Sequence, residues 1–185
     1  MEYVEPIREK KQIEAFKKIL KSGNIRDYVF FTIGVNSGLR ISDLLTLKVG
    51  DVYDGKKIKD RITVREQKTG KIKNFPISDT VAKSLRDYEI SNKSLEDPLF
   101  PSQKGGRPIS RIQAYRILNS AAQGLNLKKI GTHTLRKTFG YHAYLSGVDI
   151  SRIMELLNHS SQKETLRYIG INQDELDEIY LNLNL

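Results

Sequence analysis

The sequence contains no cysteine, which excludes a disulfide framework, a thiolate nucleophile and a zinc site built on cysteine. It also lacks a long apolar run, since no stretch approaches the roughly 20 apolar residues of a membrane helix. Its first five residues, Met1-Glu2-Tyr3-Val4-Glu5, do not form the apolar core of a secretory signal peptide. These absences predict a cytoplasmic protein with no membrane partner.

Positive charge, in contrast, is in excess. The 185 residues include 31 Lys and Arg against 22 Asp and Glu, giving a net charge of +9. The segment 172–185 holds four of the acidic residues and none of the basic ones, so the preceding residues carry +13. A basic body with an acidic tail indicates a polyanionic partner, although a merely basic protein is the alternative. With 38% apolar residues, the length fits one domain with a small appendage at most.

Hydrophobic periodicity predicts helices at both ends of the chain and a small sheet between them. Residues 28–35 are almost uniformly apolar, which predicts a buried helix that Gly38 ends. Residues 61–65 and 71–77 instead alternate in polarity, which predicts an antiparallel hairpin with Gly70 in its turn. The helical period then returns, and three helix starts are marked by the predicted capping residues Ser110, Asp149 and Ser161. The predicted class is therefore α+β, mainly helical with one small antiparallel sheet.

Two short motifs place cationic side chains where an anion can bind. His133 and Arg136 lie about 60° apart on one predicted helix, so both can face the same ligand. With Thr132 as the N-cap, His133 falls in the first turn, where free amides favour an anion. Arg40 can hold two phosphate oxygens at once, and Asp43 is close enough to orient or partly neutralise it. Each motif alone also fits an ordinary solvated helix face.

Three further residues are candidates only in combination with these motifs. Lys68 is predicted at the hairpin tip, from which an acid can swing over a bound substrate. His159 follows an amphipathic helix, and Tyr168 lies nine residues further on, within the next helix. His142 is a contrast: it lies about half a turn from His133 on the same predicted helix, so we expect it to pack structurally.

In order and spacing, these residues resemble the active-site pattern of the tyrosine recombinases, the phage-integrase family of DNA strand-exchange enzymes. That pattern is an arginine near a helix start, a lysine on a β-hairpin, H-x-x-R, His or Trp, and then Tyr about nine residues later. The matching residues are Arg40, Lys68, His133, Arg136, His159 and Tyr168. The resemblance covers about residues 10–170 and implies the family's catalytic fold. Asn158 departs from the glycine that is common before the second histidine.

The resemblance implies a transesterification in which Tyr168 attacks the scissile phosphate. The products are a 3′-phosphotyrosyl link and a free 5′-hydroxyl, and a second strand's 5′-hydroxyl reverses the step. The other implied roles are phosphate binding by Arg40, Arg136 and His159, protonation of the leaving 5′ oxygen by Lys68, and proton transfer by His133. Because the tyrosine stores the bond energy and cations hold the phosphate, the resemblance implies no cofactor and no metal ion.

The resemblance also implies partners and a domain organisation. The implied partner is double-stranded DNA with a specific target site, bound by a homo-oligomer, typically a tetramer on paired sites, in a bacterial or phage-derived nucleoid-associated protein. We expect a catalytic domain at 1–171 and a helical tail at 172–185, with no N-terminal core-binding domain because Arg40 comes so early. A naturally short recombinase, slightly favoured by Met1, and a fragment of a longer one both fit. Residues expected to dock the tail on a neighbouring subunit, or alternatively on its own domain, are Leu176, Ile179, Tyr180 and Leu183.

Two other functions fit the same residues. One is DNA relaxation of the type IB topoisomerase kind, and the other is a non-catalytic DNA-binding regulator with this fold. Small size and the tail favour recombination, and the presence of all six residues argues against a regulator. Candidates for direct DNA contact, each with a solvated helix face as the alternative, are Lys104, Arg107, Arg111 and Arg116.

Overall fold

Helices and a two-stranded antiparallel sheet make up the fold. The computed structural model describes residues 4–103, 105–171 and 181. The elements in chain order are α1 (Lys10–Gly23), α2 (Ile25–Ser37), α3 (Ile41–Leu45), α4 (Val49–Val52), β1 (Arg61–Arg65), β2 (Ile72–Pro76), α5 (Asp79–Asp87), a 3₁₀ turn (Ile90–Asn92), α6 (Arg111–Gln123), α7 (Thr134–Leu145), α8 (Ile150–Leu156) and α9 (Gln162–Ile169). The predicted mainly helical α+β class is confirmed.

The predicted hairpin is present and joins β1 to β2. The two strands pair antiparallel, with Thr63 opposite Asn74 at the centre of the ladder. Ile62 and Val64 point into the core while their neighbours in β1 are exposed, as the alternation in the sequence predicted. Gly70 has a φ of +68° in the turn, a conformation that glycine adopts without a steric penalty.

The main hydrophobic core lies between α1, α2, α5 and α6. Phe16 of α1 stacks on Phe31 of α2 with ring centroids 4.5 Å apart. Phe30 packs edge-on against Phe100 at 5.6 Å. Each such side chain stabilises the fold by about 1.5–3 kcal/mol through apolar burial. This core therefore fixes α2, whose C-terminal end leads into α3.

A second, smaller core holds α7, α8 and α9 together. Its buried members are Tyr141, Ile153, Leu157, Ile169 and Ile171. Gly140 allows the close approach of α9 to α7, because a Cβ built there would lie 2.6 Å from Ile169 Cγ2. Since Tyr168 precedes Ile169 and His159 follows two residues after Leu157, this core sets the positions of two predicted catalytic residues.

Most predicted helix caps are confirmed, but the one on α7 is wrong. Ser110, Asp149 and Ser161 each accept a backbone amide hydrogen bond at the start of a helix. The N-cap of α7 is His133 and not Thr132. The reason is local: the Thr134 hydroxyl accepts from the Gly131 amide at 3.0 Å, so a turn at residues 131–134 runs directly into the helix.

Several predictions concern residues for which the structure gives no placement. Those outside the described residues are Lys104, Leu176, Ile179, Tyr180 and Leu183. Among the helices that are described, none has both the length and the apolar composition needed to cross a bilayer.

Candidate active site

Five of the six predicted catalytic side chains meet at one place, between the start of α3, the start of α7 and α9. The Tyr168 hydroxyl lies 3.3 Å from His133 Nδ1. The rings of Tyr168 and His159 pack edge to face with centroids 4.7 Å apart. Arg40 and Arg136 both lie close enough to act electrostatically on Tyr168. The two guanidinium groups therefore belong to one site.

Arg136 is the buried centre of this arrangement, with 3% of its surface exposed. It donates hydrogen bonds to the carbonyl oxygens of Gly38 and Leu157. Gly38 precedes Arg40 by two residues and Leu157 precedes His159 by two, so one guanidinium spans both flanks of the site. Burial, and then the charge of Arg40, lowers the pKa of Arg136. Because carbonyls do not neutralise its charge, the guanidinium remains available to an anion.

Arg40 forms an ion pair with Glu66, and the predicted pairing with Asp43 does not match the contacts observed. Arg40 Nη1 lies 2.8 Å from Glu66 Oε2, with the two side chains 18% and 0% exposed. Asp43 Oδ1 instead accepts from the backbone amide of Gln67 at 2.9 Å. Burial alone would raise the pKa of the Glu66 carboxyl, but the Thr69 hydroxyl and the Arg40 guanidinium outweigh it and lower the pKa.

Glu66 was missed from the sequence, although a signal for it existed. It continues the every-second-residue series of Ile62 and Val64, both of which point into the core. A charged residue in such a series must be paired when it is buried. Glu66 is buried at 1% exposure, and its partners all lie at the candidate site.

Two lysines near the site were also missed. Lys73 donates to the carbonyl oxygen of Leu156 at 3.0 Å. Burial, and then the charge of a neighbouring arginine, lowers the pKa of Lys73 to about 8. Lys137 Nζ donates to the Val4 carbonyl oxygen at 2.8 Å and lies 5.3 Å from the centre of the Tyr168 ring. The alternation around Lys73 predicts a strand and the spacing around Lys137 predicts a helix, but neither pattern predicts which distant residues these lysines contact.

The titratable groups around the phenol have shifted pKa values. Burial raises the pKa of Tyr168, and the two nearby arginines oppose that rise only in part. Desolvation, and then the charge of Arg111, lowers the pKa of His133. Desolvation also lowers the pKa of His159, whose Nδ1 lies 3.2 Å from Thr165 Oγ1. At neutral pH the phenol is therefore protonated and the adjacent imidazole of His133 is neutral, a pair suited to proton transfer.

Lys68 is exposed at the hairpin tip, but the backbone on either side of it is fastened. Gln67 donates its amide to Asp43, and the Thr69 hydroxyl donates to Glu66 Oε2 at 2.6 Å. The tip is thus tied to the arginine site, which limits the free swing that the sequence predicted. His142 Nε2 lies 2.9 Å from the Ile7 carbonyl oxygen, so it has the structural role expected from its spacing.

Three of the candidate DNA contacts are among the described residues, and all three lie on the surface. Arg107 is exposed in the loop before α6, and Arg111 and Arg116 are exposed on α6 itself. The charge of Arg111 reaches His133, which places the start of α6 beside the candidate site. Within the described ranges, no three His, Cys, Asp or Glu side chains are grouped so that they could hold a metal ion.

Comparison with known proteins gives one consistent family. The sequence model of the phage integrase family matches residues 7–175. A probable integrase/recombinase of Bacillus subtilis (strain 168), YoeC, is 46% identical over 180 residues, which cover 97% of each chain. The tyrosine recombinase XerC of Thermodesulfovibrio yellowstonii is 32% identical over 165 residues, which cover 84% of this chain and 53% of XerC. The chain thus spans nearly all of YoeC and about half of XerC.

Solved structures agree in fold. The crystal structure of XerA recombinase matches 98% of this chain and 65% of its own, with a TM-score of 0.76 and 23% identity. A post-cleavage complex of XerH site-specific recombinase with its difH substrate matches 96% of this chain and 51% of its own, with a TM-score of 0.72 and 19% identity. At these identities the likeness establishes the fold alone.

Proposed function

This chain belongs to the phage integrase family, and we propose that it is a site-specific DNA recombinase that cleaves and rejoins strands through a 3′-phosphotyrosyl intermediate. The observation that carries the proposal is the contact of the Tyr168 hydroxyl with His133, beside two guanidinium groups at the same site. A nucleophile, a proton acceptor and an anion-binding pair are the parts that this transesterification needs. Double-stranded DNA with a specific target site is the proposed partner.

In the cleavage step, the Tyr168 oxygen forms a bond to phosphorus while the bond from phosphorus to the 5′ oxygen breaks. The phenolic proton passes to His133 Nδ1, which lies 3.3 Å away. The ammonium of Lys68 gives a proton to the departing 5′ oxygen, which leaves as a hydroxyl. One phosphoester replaces another, so the step needs no external energy source.

Charge on the transferring phosphate is stabilised by groups already in place. We assign the non-bridging oxygens to Arg40, Arg136 and His159, which converge on the phenol. Preorganised donors of this kind are typically worth about 3–4 kcal/mol each in the transition state. Rejoining follows the same path in reverse when the 5′-hydroxyl of another strand attacks the phosphotyrosine.

The DNA is proposed to lie across the surface that carries the exposed end of α6 and the hairpin tip. Support comes from the exposure of Lys68, Arg107, Arg111 and Arg116, and from the charge of Arg111 beside His133. Lys104 remains a candidate from the sequence. Such contacts fix the protein on the phosphate backbone, and base readout by this face would select the target.

The test of this function is trapping of the covalent intermediate. Wild type is incubated with a library of nicked duplexes whose flanking sequence is randomised, and adducts are resolved on a denaturing gel. We expect an adduct from wild type and from the control Tyr144→Phe, in α7, but none from Tyr168→Phe. An equal adduct from Tyr168→Phe would exclude this nucleophile, and relaxation of a supercoiled plasmid without a selected site would indicate a topoisomerase.

We also propose that residues 1–171 form the catalytic domain and that 172–185 form a tail that docks on a neighbouring subunit of a homo-oligomer. The support is complementarity, since an acidic tail with apolar residues follows a body with a net charge of +13. Analytical ultracentrifugation of DNA complexes with and without residues 172–185 tests it. A DNA-bound assembly of unchanged size after truncation would exclude docking between subunits.

A further inference from the structure

The buried carboxylate of Glu66 joins three segments of the site that are far apart in sequence. Its Oε2 accepts hydrogen bonds from Thr69 Oγ1 at 2.6 Å and from Asn158 Nδ2 at 2.8 Å. The same oxygen lies 2.8 Å from Arg40 Nη1. One oxygen thus connects the hairpin tip, the start of α3 and the segment before α9.

The backbone of Glu66 also builds the turn that carries Lys68. The Glu66 amide donates to the Lys71 carbonyl oxygen at 2.9 Å, and its own carbonyl accepts from the Gly70 amide at 2.8 Å. Together with the Thr69 hydroxyl, these bonds close the tip around a single residue. The orientation of the tip relative to the rest of the site therefore depends on where Glu66 is held.

Asn158 is the second half of this connection. Its φ of +48° lies in the left-handed region, where glycine is favoured because it has no Cβ. Glycine would adopt this backbone conformation with less steric strain, but the asparagine side chain makes hydrogen bonds that glycine cannot make. The amide nitrogen donates to Glu66, the amide oxygen lies 3.5 Å from Lys71 Nζ, and the next residue is His159.

This inference rests on the proposed function. We propose that the Glu66–Asn158 hydrogen bond, called the latch below, holds the hairpin that carries Lys68 in a fixed position relative to Arg40 and to the segment that carries His159. Glu66 and Asn158 are positioning residues that act through the groups they hold. Protonation of a leaving oxygen requires the donor within hydrogen-bond reach, and a misplacement of about 1 Å can cost about 100-fold in rate. The latch would set that distance before DNA arrives.

The test compares Asn158→Gly with Asn126→Gly, a matched control at an exposed turn residue whose φ is +53°. Single-turnover adduct formation and DNA affinity are measured on an ordinary duplex and on one with sulfur in place of the bridging 5′ oxygen. A thiolate leaves without being protonated, so this substrate does not need an aligned acid. Lys68→Met, which lacks the acid altogether, shows how much of the lost cleavage rate the sulfur substrate can restore.

We expect Asn158→Gly to slow cleavage of the ordinary duplex about 10-fold, within the range of a small misalignment. DNA affinity should be unchanged, and the loss should largely disappear on the sulfur substrate. Asn126→Gly should match wild type on both. Thr69→Val removes a second hydrogen bond to Glu66 at an exposed position, and it should show the same dependence on the leaving atom. It replaces Asn158→Gly in the comparison if that variant does not fold.

Two results would overturn the latch while leaving the proposed function intact. One is a wild-type cleavage rate in both Asn158→Gly and Thr69→Val. The other is a cleavage rate that these variants lower equally on the oxygen and sulfur substrates. A wild-type protein that forms no adduct with either substrate would instead remove the proposed function, and the latch with it.

Discussion

The close packing of α9 on α7 gives a sharp test of how the nucleophile is held. In Gly140→Ala the new Cβ would lie 2.6 Å from Ile169 Cγ2 and 3.1 Å from Leu157 Cδ1, so the Ile169 side chain or the helix that carries it must shift. Overpacking of this kind costs about 1–3 kcal/mol, while alanine in a helix interior regains about 1 kcal/mol over glycine. The net loss of about 0–2 kcal/mol should lower Tm by at most about 8 °C in a protein of this size.

Activity should suffer more than stability. Ile169 directly follows Tyr168, and the phenol must keep its 3.3 Å contact with His133 Nδ1. A displacement of a few tenths of an ångström in α9 should slow single-turnover cleavage by about 10-fold or more, even at 25 °C where the variant remains folded. The measurements are thermal unfolding by circular dichroism and adduct formation on the nicked duplex.

Gly23→Ala is the matched control for this experiment. It makes the same change at the end of α1, where a Cβ would meet nothing within 4 Å. Its Tm should stay the same or rise, since alanine lowers the entropy of the unfolded chain, and its cleavage rate should match wild type. A wild-type cleavage rate for Gly140→Ala would refute the argument, because α9 would then not need its close approach to α7.

Three further predictions concern charge. Cleavage should stay level as pH falls to about 6.5 and decline only at lower pH, because burial lowers the pKa of His133 and keeps it neutral and able to accept a proton at about pH 6.5; a decline that is already half complete above about pH 6.5 would contradict this. Folded Lys73 has a pKa of about 8 against 10.5 when unfolded. The unfolded chain therefore binds more protons between these values, and the free energy of unfolding should rise by about 1.5 kcal/mol from pH 8 to 9.5 in wild type relative to Lys73→Met. Urea unfolding at each pH measures this difference, and the same pH dependence of the unfolding free energy in both proteins would refute the prediction. Arg111→Ala and Arg116→Ala should each reduce the slope of log affinity against log salt by about 1, and an unchanged slope would exclude a phosphate contact.

The parts of the fold that could be predicted from the sequence are those set by local patterns. The alternation around Ile62 and Val64 and the turn at Gly70 are confirmed because strand pairing in a hairpin is decided within a few residues. The caps at Ser110 and Asp149 are confirmed for the same reason. The predicted N-cap of α7 was wrong because the Thr134 hydroxyl bonds to the Gly131 amide, three residues earlier. Residue preferences at N-caps do not predict that contact.

At the candidate site, the errors came from contacts between distant segments. Asp43, three residues from Arg40, looked like its partner, yet Glu66 from the end of β1 forms the ion pair. The contact of Tyr168 with His133 depends on how α9 packs on α7, which no local pattern encodes. The family pattern alone indicated that these residues belong together, and their catalytic roles stay predictions until the variants are assayed.

The burial of Arg136 has a consequence for the protein without its substrate. Its guanidinium is removed from water and lies close to the positive charge of Arg40, and both effects lower its pKa. Any oxyanion that enters between the two cations would relieve this repulsion. Phosphate or sulfate in the buffer should therefore act as a stabilising ligand, so the resting enzyme would be at its least heat-resistant in chloride alone.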